Sequence, residues 1–277
     1  MQDDRRDEIL ERASRCFEDV AARTRVLDGI QWPRRTEHDF FAANAERLPE
    51  PTYSIDRQMA EQNIEALAQL DRELAGSDPL LGYLRAIGAS YARANEMLLA
   101  VGTRRFYELS LELYGGAKTL ALDADTSNLD LAAHLQRRIG RGMRKPDVEG
   151  PPMGAEALAA ELEHRITREL PELEVKVVLD DDLSAKVIAG AKRVRIRSGA
   201  TFSLMEVDSL FVHEIETHAL TAQNGLAQPK LPFLRAGGPR TTRTQEGLAV
   251  FAELFDHSLS IGRLRRLVER VNMVAMA

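Results

Sequence analysis

The chain has 277 residues, of which 44% are hydrophobic, and it carries a net charge of -6 from 37 basic and 43 acidic side chains. This apolar fraction is sufficient for a substantial core, so we expect a globular protein of one or two domains. The acidic balance argues against a general nucleic-acid-binding protein. A single cysteine, Cys16, excludes an intrachain disulfide framework and a thiolate metal cluster.

The sequence also lacks the signals of export and of membrane insertion. Its first residues, MQDDRRDE, contain no apolar signal segment, and no apolar run approaches the length of a membrane span. We therefore expect a cytoplasmic protein without a membrane partner.

The first half of the sequence predicts helices. Residues 5–24 and 55–75 place apolar side chains at helical spacing. Asp78 and Pro79 predict the start of another helix, because aspartate caps free N–H groups and proline fits the first helical position. A further helix is expected to end before Gly115.

A basic stretch that ends at Lys145 leads into a segment rich in proline and glycine, beginning at Pro146. This composition is typical of a connection between two parts of a chain. We therefore expect a helical region over residues 1–145 and a second region over residues 146–277. One continuous domain that contains both regions is the alternative.

Two segments after this connection alternate apolar and polar residues, as half-buried strands do. They are Leu173–Leu179 and Arg193–Arg197. Together they predict a small sheet, and an exposed edge of that sheet could align an extended peptide by backbone pairing. The alternative is an edge that its cationic side chains protect from aggregation.

A largely apolar helix is expected after the sheet. Ser203 and Glu206 form a capping-box pattern, which predicts that the helix begins near Ser203. Asn224 and Gly225 predict its end, because these residues favour the left-handed conformation that closes many helices.

The hexapeptide HEIETH, residues 213–218, interrupts the apolar pattern of this helix. Histidine is a common zinc ligand, and a catalytic zinc ion usually takes three protein ligands and leaves one position open. We expect His213 and His218 to supply two of these ligands. Glu214 is then placed to take a proton from water and to pass it on. The alternative is that each histidine is an ordinary hydrogen-bonded residue.

The spacing of the two histidines predicts a distorted helix. Residues at positions i and i+4 lie about 40° apart around an α-helix, whereas residues at i and i+5 lie about 140° apart. A regular α-helix would therefore direct His213 and His218 to different sides. A local π-helical bulge would bring them to one side, and such bulges are frequent at functional sites.

The third metal ligand is expected from a later element, and Glu246 is our candidate. Two histidines and one glutamate form a known hydrolytic zinc set. Glu253, Asp256 and His257 are the alternatives.

The segment that follows Glu246 predicts a second amphipathic helix. Its apolar residues are Leu248, Phe251, Leu254 and Phe255. We expect this apolar face to pack against the histidine helix.

These motifs resemble a known family. The stretch QEGLA, residues 245–249, joins the hexapeptide at residues 213–218 in this resemblance. Further matching segments are Arg25-Val26-Leu27, Trp32-Pro33, Gly102-Thr103, Phe106, Ser110 and Leu113-Tyr114-Gly115. The sequence resembles the bacterial QEGLA-motif proteins, which are related to the eukaryotic microtubule-associated tyrosine carboxypeptidases.

The resemblance spans most of the chain and implies a zinc metallopeptidase. It assigns Zn²⁺ to His213, His218 and Glu246, and it assigns catalysis to Glu214. The fold that we expect is α+β, with a mainly helical N-terminal half, a small sheet and the HExxxH helix in a gluzincin-like core. Family members usually continue well beyond the second motif, so we expect some substrate-pocket residues to be missing from a chain that stops at Ala277.

The substrate implied by the resemblance is the C-terminus of a peptide or protein. Removal of a C-terminal tyrosine belongs to the eukaryotic branch, so the residue specificity is left open. A terminal carboxylate needs a cation, and Arg240 and Arg243, in the loop that we expect before Glu246, are candidates. The alternatives are a regulatory protein with a structural metal and a metal-dependent amidase that acts on a small molecule.

Overall fold

The computed structural model describes residues 2–121, 125–142, 151–183 and 185–276. The chain divides into two compact units, one formed by Met1–Tyr114 with Gly238–Arg240 and the other by Gly115–Gly237 with Thr241–Ala277. The connection predicted around residues 145 and 146 lies outside the described residues, so the boundary proposed there stays a prediction.

The first unit is helical, as predicted. Its elements are α1 (Gln2–Arg23), α2 (Val26–Ile30), α3 (Arg34–Ala42), α4 (Arg57–Glu73), α5 (Pro79–Leu99) and α6 (Arg104–Tyr114). The helix predicted after Asp78 is confirmed, and the Asp78 side chain accepts a hydrogen bond of 2.8 Å from the backbone N–H of Leu80. The aspartate thus satisfies one of the N–H groups that have no partner within the helix.

Helices α1, α4 and α5 enclose the core of this unit, in which Phe17 and Leu84 are fully buried. Two buried asparagines, Asn63 and Asn95, lie within this core and are hydrogen-bonded to each other. The Nδ2 atom of Asn63 donates to Oδ1 of Asn95 at 3.1 Å, and Nδ2 of Asn95 donates to Oγ1 of Thr24 at 3.0 Å. These bonds offset the cost of burying the amides.

The second unit contains every described strand and the remaining helices. Its elements are α7 (Asn128–Gly142), β1 (Met153–Gly154), α8 (Ala155–Glu169), β2 (Lys176–Asp180), β3 (Val187–Ala189), β4 (Arg193–Arg197), β5 (Thr201–Phe202), α9 (Leu204–Leu210), a π-helix (Phe211–Ala219), α10 (Leu220–Leu226), a 3-10 turn (Pro232–Arg235), α11 (Pro239–Phe255) and α12 (Ile261–Met276). The first two residues of α11 are assigned to the first unit. This combination of many helices with small sheets is consistent with the predicted α+β class. Among the described residues, no helix is long and apolar enough to cross a membrane.

The predicted sheet is present, with strand order β2-β4-β3. Strand β4 pairs in parallel with β2 and antiparallel with β3, where Val187 lies opposite Ile196. Strand β2 begins at Lys176, later than the predicted start at Leu173, because Leu173 contributes to the core without joining the sheet. Strand β3 forms an edge of the sheet within the described residues.

One apolar core joins the sheet to the helices around it. Val194 and Ile196 of β4 are fully buried in it with Phe211 and Ile215 of the π-helix and with Leu158 of α8. Apolar burial of this kind is the main favourable contribution to folding. The π-helix is thus anchored on the sheet by its apolar side chains.

The helix that follows β5 begins as predicted and ends one residue after the predicted position, but it does not end through a left-handed residue at Asn224 or Gly225. Ser203 and Glu206 form the capping box, in which the Ser203 N–H donates to the Glu206 carboxylate at 2.9 Å. Helix α10, however, continues through Asn224 and Gly225 to Leu226.

Close packing explains the glycine at position 225. A Cβ atom added there would lie 2.3 Å from the carbonyl carbon of Leu234 and 2.4 Å from the backbone nitrogen of Arg235. The 3-10 turn therefore approaches the helix so closely that only glycine fits. The sequence correctly indicated that the glycine at position 225 is special. It allows the 3-10 turn to approach the helix closely, and it does not adopt a left-handed conformation.

We expect Gly225→Ala to destabilise the protein by about 1–3 kcal/mol or more, because the new methyl group meets backbone atoms that cannot move independently. The matched control is Gly82→Ala in α5, where an added Cβ meets nothing within 4 Å. That change should stabilise the helix by about 0.5–1 kcal/mol. Thermal unfolding midpoints measure both effects, and an unchanged midpoint for Gly225→Ala would contradict the packing explanation.

Candidate metal and catalytic site

Residues Phe211–Ala219 form a π-helix, which confirms the distortion that the histidine spacing predicted. The backbone N–H of Leu220 bonds to the carbonyl of Ile215, and the Thr217 hydroxyl donates to the carbonyl of Val212 at 2.9 Å. The first of these is a backbone bond between residues five apart, the repeat that defines a π-helix, and the second is a side-chain bond across the same interval. Side chains five apart therefore face the same side, and the ring centroids of His213 and His218 are 4.9 Å apart.

Glu246 on α11 lies beside both imidazole rings. One carboxylate oxygen is 3.7 Å from Nε2 of His213, and the other is 3.6 Å from Nε2 of His218. The possible ligand atoms of the three residues all lie within 4.8 Å of one another. Zinc bonds of about 2.1 Å in a tetrahedron separate neighbouring ligand atoms by about 3.4 Å. The three side chains therefore fit a zinc ion after small adjustments.

Glu253 and Arg263 fix the orientation of His213. Glu253 is fully buried, and its Oε1 atom is 2.6 Å from Nδ1 of His213. When Nδ1 donates this hydrogen bond, Nε2 keeps the lone pair that a metal binds. Arg263 donates from Nη2 to Oε1 of Glu253 at 2.6 Å and from Nε to Oε2. The carboxylate thus joins the imidazole to the guanidinium.

The charge state of Glu253 follows from these contacts. Burial alone raises its pKa, but the hydrogen bonds from His213 and Arg263 outweigh burial and leave the pKa below its ordinary value. Glu253 is therefore an ionised acceptor that holds His213.

His218 has a weaker orienting partner. Its Nδ1 atom is 3.5 Å from the side-chain oxygen of Gln245. The pKa of His218 is lowered, first by burial and then by its electrostatic interaction with His213, with Glu246 and Gln245 opposing this. A neutral imidazole is the form that binds a metal.

Glu214 lies between the π-helix and the edge of the sheet. Its Oε2 atom accepts a hydrogen bond of 3.1 Å from the backbone N–H of Ala189 in β3. Burial raises its pKa to about 7, although the electrostatic interaction with His213 and the Ala189 bond act in the opposite direction. A carboxyl group of this kind can accept and return protons near neutral pH.

A cavity of about 900 Å³ opens onto these groups. His213, Glu214 and Glu246 line it together with residues of β3, α9 and α12. Its size falls in the range of ligand pockets and is sufficient for a short peptide segment.

The structure corrects two expectations about α11. The helix begins at Pro239, so Arg240 and Arg243 lie in its first turns and not in a loop. Proline fits the first helical position, which explains the early start. Neither arginine lines the cavity. Their role in substrate binding stays a prediction.

The predicted packing of the apolar face of α11 is also wrong. The exposed fraction of these apolar residues is 46% for Leu248, 60% for Phe251, 58% for Leu254 and 78% for Phe255. Glu246 and Glu253 are seven residues apart, close to two helical turns, and therefore occupy one side of the helix. Because that side faces the histidines, the apolar residues face outward.

The alternative third ligands lie elsewhere. Glu253 is hydrogen-bonded to His213, whereas Asp256 and His257 are exposed at the end of α11. Arg263 is the residue that the sequence did not predict at all. Its only signal is its place on the inner face of an amphipathic helix, which does not indicate a partner.

Comparison with known proteins agrees with the relation inferred from the motifs. No match was found among curated proteins or among solved structures. A family model described as microtubule-associated tyrosine carboxypeptidase matches residues 38–277, and this segment contains both histidines, Glu214 and Glu246. Because the match covers most of the sequence, the chain belongs to the microtubule-associated tyrosine carboxypeptidase family.

Proposed function

We propose that the protein is a zinc-dependent carboxypeptidase that acts on the C-terminus of a peptide or protein. The observation that carries this proposal is the cluster of His213, His218 and Glu246 with Glu214 beside it. Of these residues, His213, Glu214 and Glu246 line the cavity. Family membership supports peptidase chemistry at a C-terminus. We also propose a cytoplasmic location.

The three clustered residues would hold the metal. His213 and His218 would each offer Nε2, since their Nδ1 atoms face Glu253 and Gln245, and Glu246 would offer a carboxylate oxygen. A bound zinc ion would acidify water and polarise the carbonyl of the scissile bond.

Glu214 would move the protons of the reaction. The N–H of Ala189 holds one carboxylate oxygen of Glu214, and the side chain lines the cavity next to His213. From this position Glu214 would accept a proton from the attacking water. It would then return that proton to the amine that leaves when the peptide bond breaks.

The edge of β3 would position the substrate backbone. The N–H of Gly190 bonds to the carbonyl of Arg193, and the N–H of Arg197 bonds to the carbonyl of Lys186, so these alternate positions face β4. Val187 lies between them and lines the cavity, so its backbone groups face away from β4. The N–H of Ala189 is already bonded to Glu214, so an extended peptide could pair with this edge at Val187.

Glu214→Gln should leave zinc binding nearly unchanged and reduce hydrolysis by about 100- to 10,000-fold, because glutamine cannot accept the proton. His213→Ala and His218→Ala should lose both zinc and hydrolysis. Zinc content of the purified protein and release of C-terminal residues from peptides measure the two properties. Full activity in Glu214→Gln would contradict the assigned mechanism.

Glu253→Gln should weaken zinc binding by about 10- to 100-fold, because the neutral amide is a poorer acceptor for the Nδ1–H of His213. Competition with a chelator measures the affinity. Glu216→Gln is the matched control, since Glu216 lies on the same π-helix but is exposed to solvent.

The unfolding midpoint of the zinc-free protein shows whether Glu253 acts on the orientation of His213 or only on the general stability of the fold. If Glu253→Gln lowers that midpoint but binds zinc as tightly as the unchanged protein, Glu253 has only a structural role. Restored affinity in Glu253→Asp, even in part, would support the positioning role.

A further inference from the structure

Four cationic side chains line the cavity, and three of them come from α12. They are Lys186, Arg263, Arg266 and Arg270. The three arginines follow one another at intervals of three and four residues, so they occupy one face of α12. The opposite face carries Leu264, Val268 and Val271, which pack with α7.

Two of the four cations already have partners. The Nζ atom of Lys186 donates to the carbonyl of Thr201 at 2.9 Å and to the Glu206 carboxylate at 3.0 Å. Arg263 donates to both oxygens of Glu253. Neither side chain is therefore available to a substrate without the loss of an existing ion pair.

Arg266 and Arg270 are not engaged in this way. Both are exposed, and within the described parts of the chain no group forms a hydrogen bond or a salt bridge with either. Arg266 does act on Glu206 through its charge. Burial raises the pKa of Glu206, but Ser203, Lys186 and Arg266 together lower it.

The oxygens of Glu206 are nevertheless occupied by other groups. Lys186 bonds to Oε1, and the Ser203 N–H bonds to Oε2. Arg266 forms no hydrogen bond with either oxygen in the described parts of the chain, so its guanidinium keeps its donors for a ligand in the cavity. A guanidinium pairs well with a carboxylate, because two of its N–H groups can meet the two oxygens.

We propose that Arg266 and Arg270 bind the terminal carboxylate of the substrate and thereby restrict the enzyme to free C-termini. This inference rests on the proposed function. It assigns to α12 the cation that the sequence placed at Arg240 and Arg243. The other acidic groups of the cavity, Glu214 and Glu246, have catalytic and metal-binding roles.

The positions of Arg266 and Arg270 on α12 would set the length of the segment that is removed. Arg266 and Arg270 follow Arg263 by about 4.5 Å and about 10.5 Å along the helix axis. Arg263 itself reaches to 3.3 Å from Nδ1 of His213. Because an extended residue spans about 3.5 Å, this distance corresponds to one to three residues beyond the cleaved bond.

The test compares Arg266→Gln, Arg270→Gln and the double variant with Arg265→Gln. Arg265 is an exposed arginine of the same helix that does not line the cavity, so it is the matched control. The probes are N-acetylated hexapeptides of randomised sequence, made with a free or an amidated C-terminus. Zinc-loaded protein is used, and mass spectrometry identifies the products.

The unchanged protein should release one to three residues from free C-termini and should leave amidated peptides nearly intact. The double variant should raise KM for free C-termini by about 10- to 100-fold, the loss expected for charged hydrogen bonds to a carboxylate. The preference for free over amidated peptides should fall by the same factor. Arg265→Gln should change neither value.

Binding of the same peptides to the Glu214→Gln variant separates the two proposals. One outcome is that peptides with a free carboxylate bind selectively, that this binding needs both Arg266 and Arg270, and that the unchanged protein hydrolyses none of the peptides. In that case the proposed function fails and this inference stands. If hydrolysis is selective for free C-termini and the double variant keeps that selectivity, the inference is overturned and the proposed function stands. Equal cleavage of free and amidated peptides overturns the inference and also contradicts a carboxypeptidase, leaving only peptidase activity.

Discussion

The backbone hydrogen bonds that join residues five apart in Phe211–Ala219 are the constraint on which the site depends. They bring His213 and His218 to one side of a single helix, which a regular α-helix with the same sequence would not do. A π-helix is rare on its own, so the surrounding structure must stabilise it. Phe211 and Ile215 supply that stabilisation, because both are fully buried against the sheet and α8. Packing energy in the core thus maintains a backbone geometry that the chemistry requires.

The second constraint is polar. Helix α11 is oriented by carboxylates and not by its large apolar residues, since Glu246 faces the imidazoles while Glu253 is buried between His213 and Arg263. A buried carboxylate without partners would be strongly unfavourable, and removing one member of a buried pair typically costs about 3–5 kcal/mol. Glu253 therefore specifies the rotation of α11 as well as the orientation of one imidazole. The exposure of Phe251 follows from the same rotation.

The sequence predicted features that depend on neighbours along the chain. The capping box at Ser203, the strands and the π-helical distortion all follow from local spacing, and each is present. Features that depend on distant partners were missed or misjudged. Gly225 was interpreted as a helix end because nothing local indicates that Leu234 approaches it. The apolar side of α11 was assigned to the core because amphipathic spacing does not reveal that a buried carboxylate can outweigh it. Arg263 could not be predicted, since its partner is on another helix.

The bond between Arg263 and Glu253 couples the packing of α12 to the orientation of His213. One face of α12 packs on α7 through Val268, and the other holds the carboxylate that orients His213. Any ligand that favours the oriented imidazole therefore also favours the docked helix, and by linkage the docked helix increases the affinity for that ligand by the same factor. Amide hydrogen exchange in α12 would consequently report on events at His213, although α12 contributes no residue to the cluster of His213, His218 and Glu246. The last described helix is in this sense a conformational reporter of the histidine site.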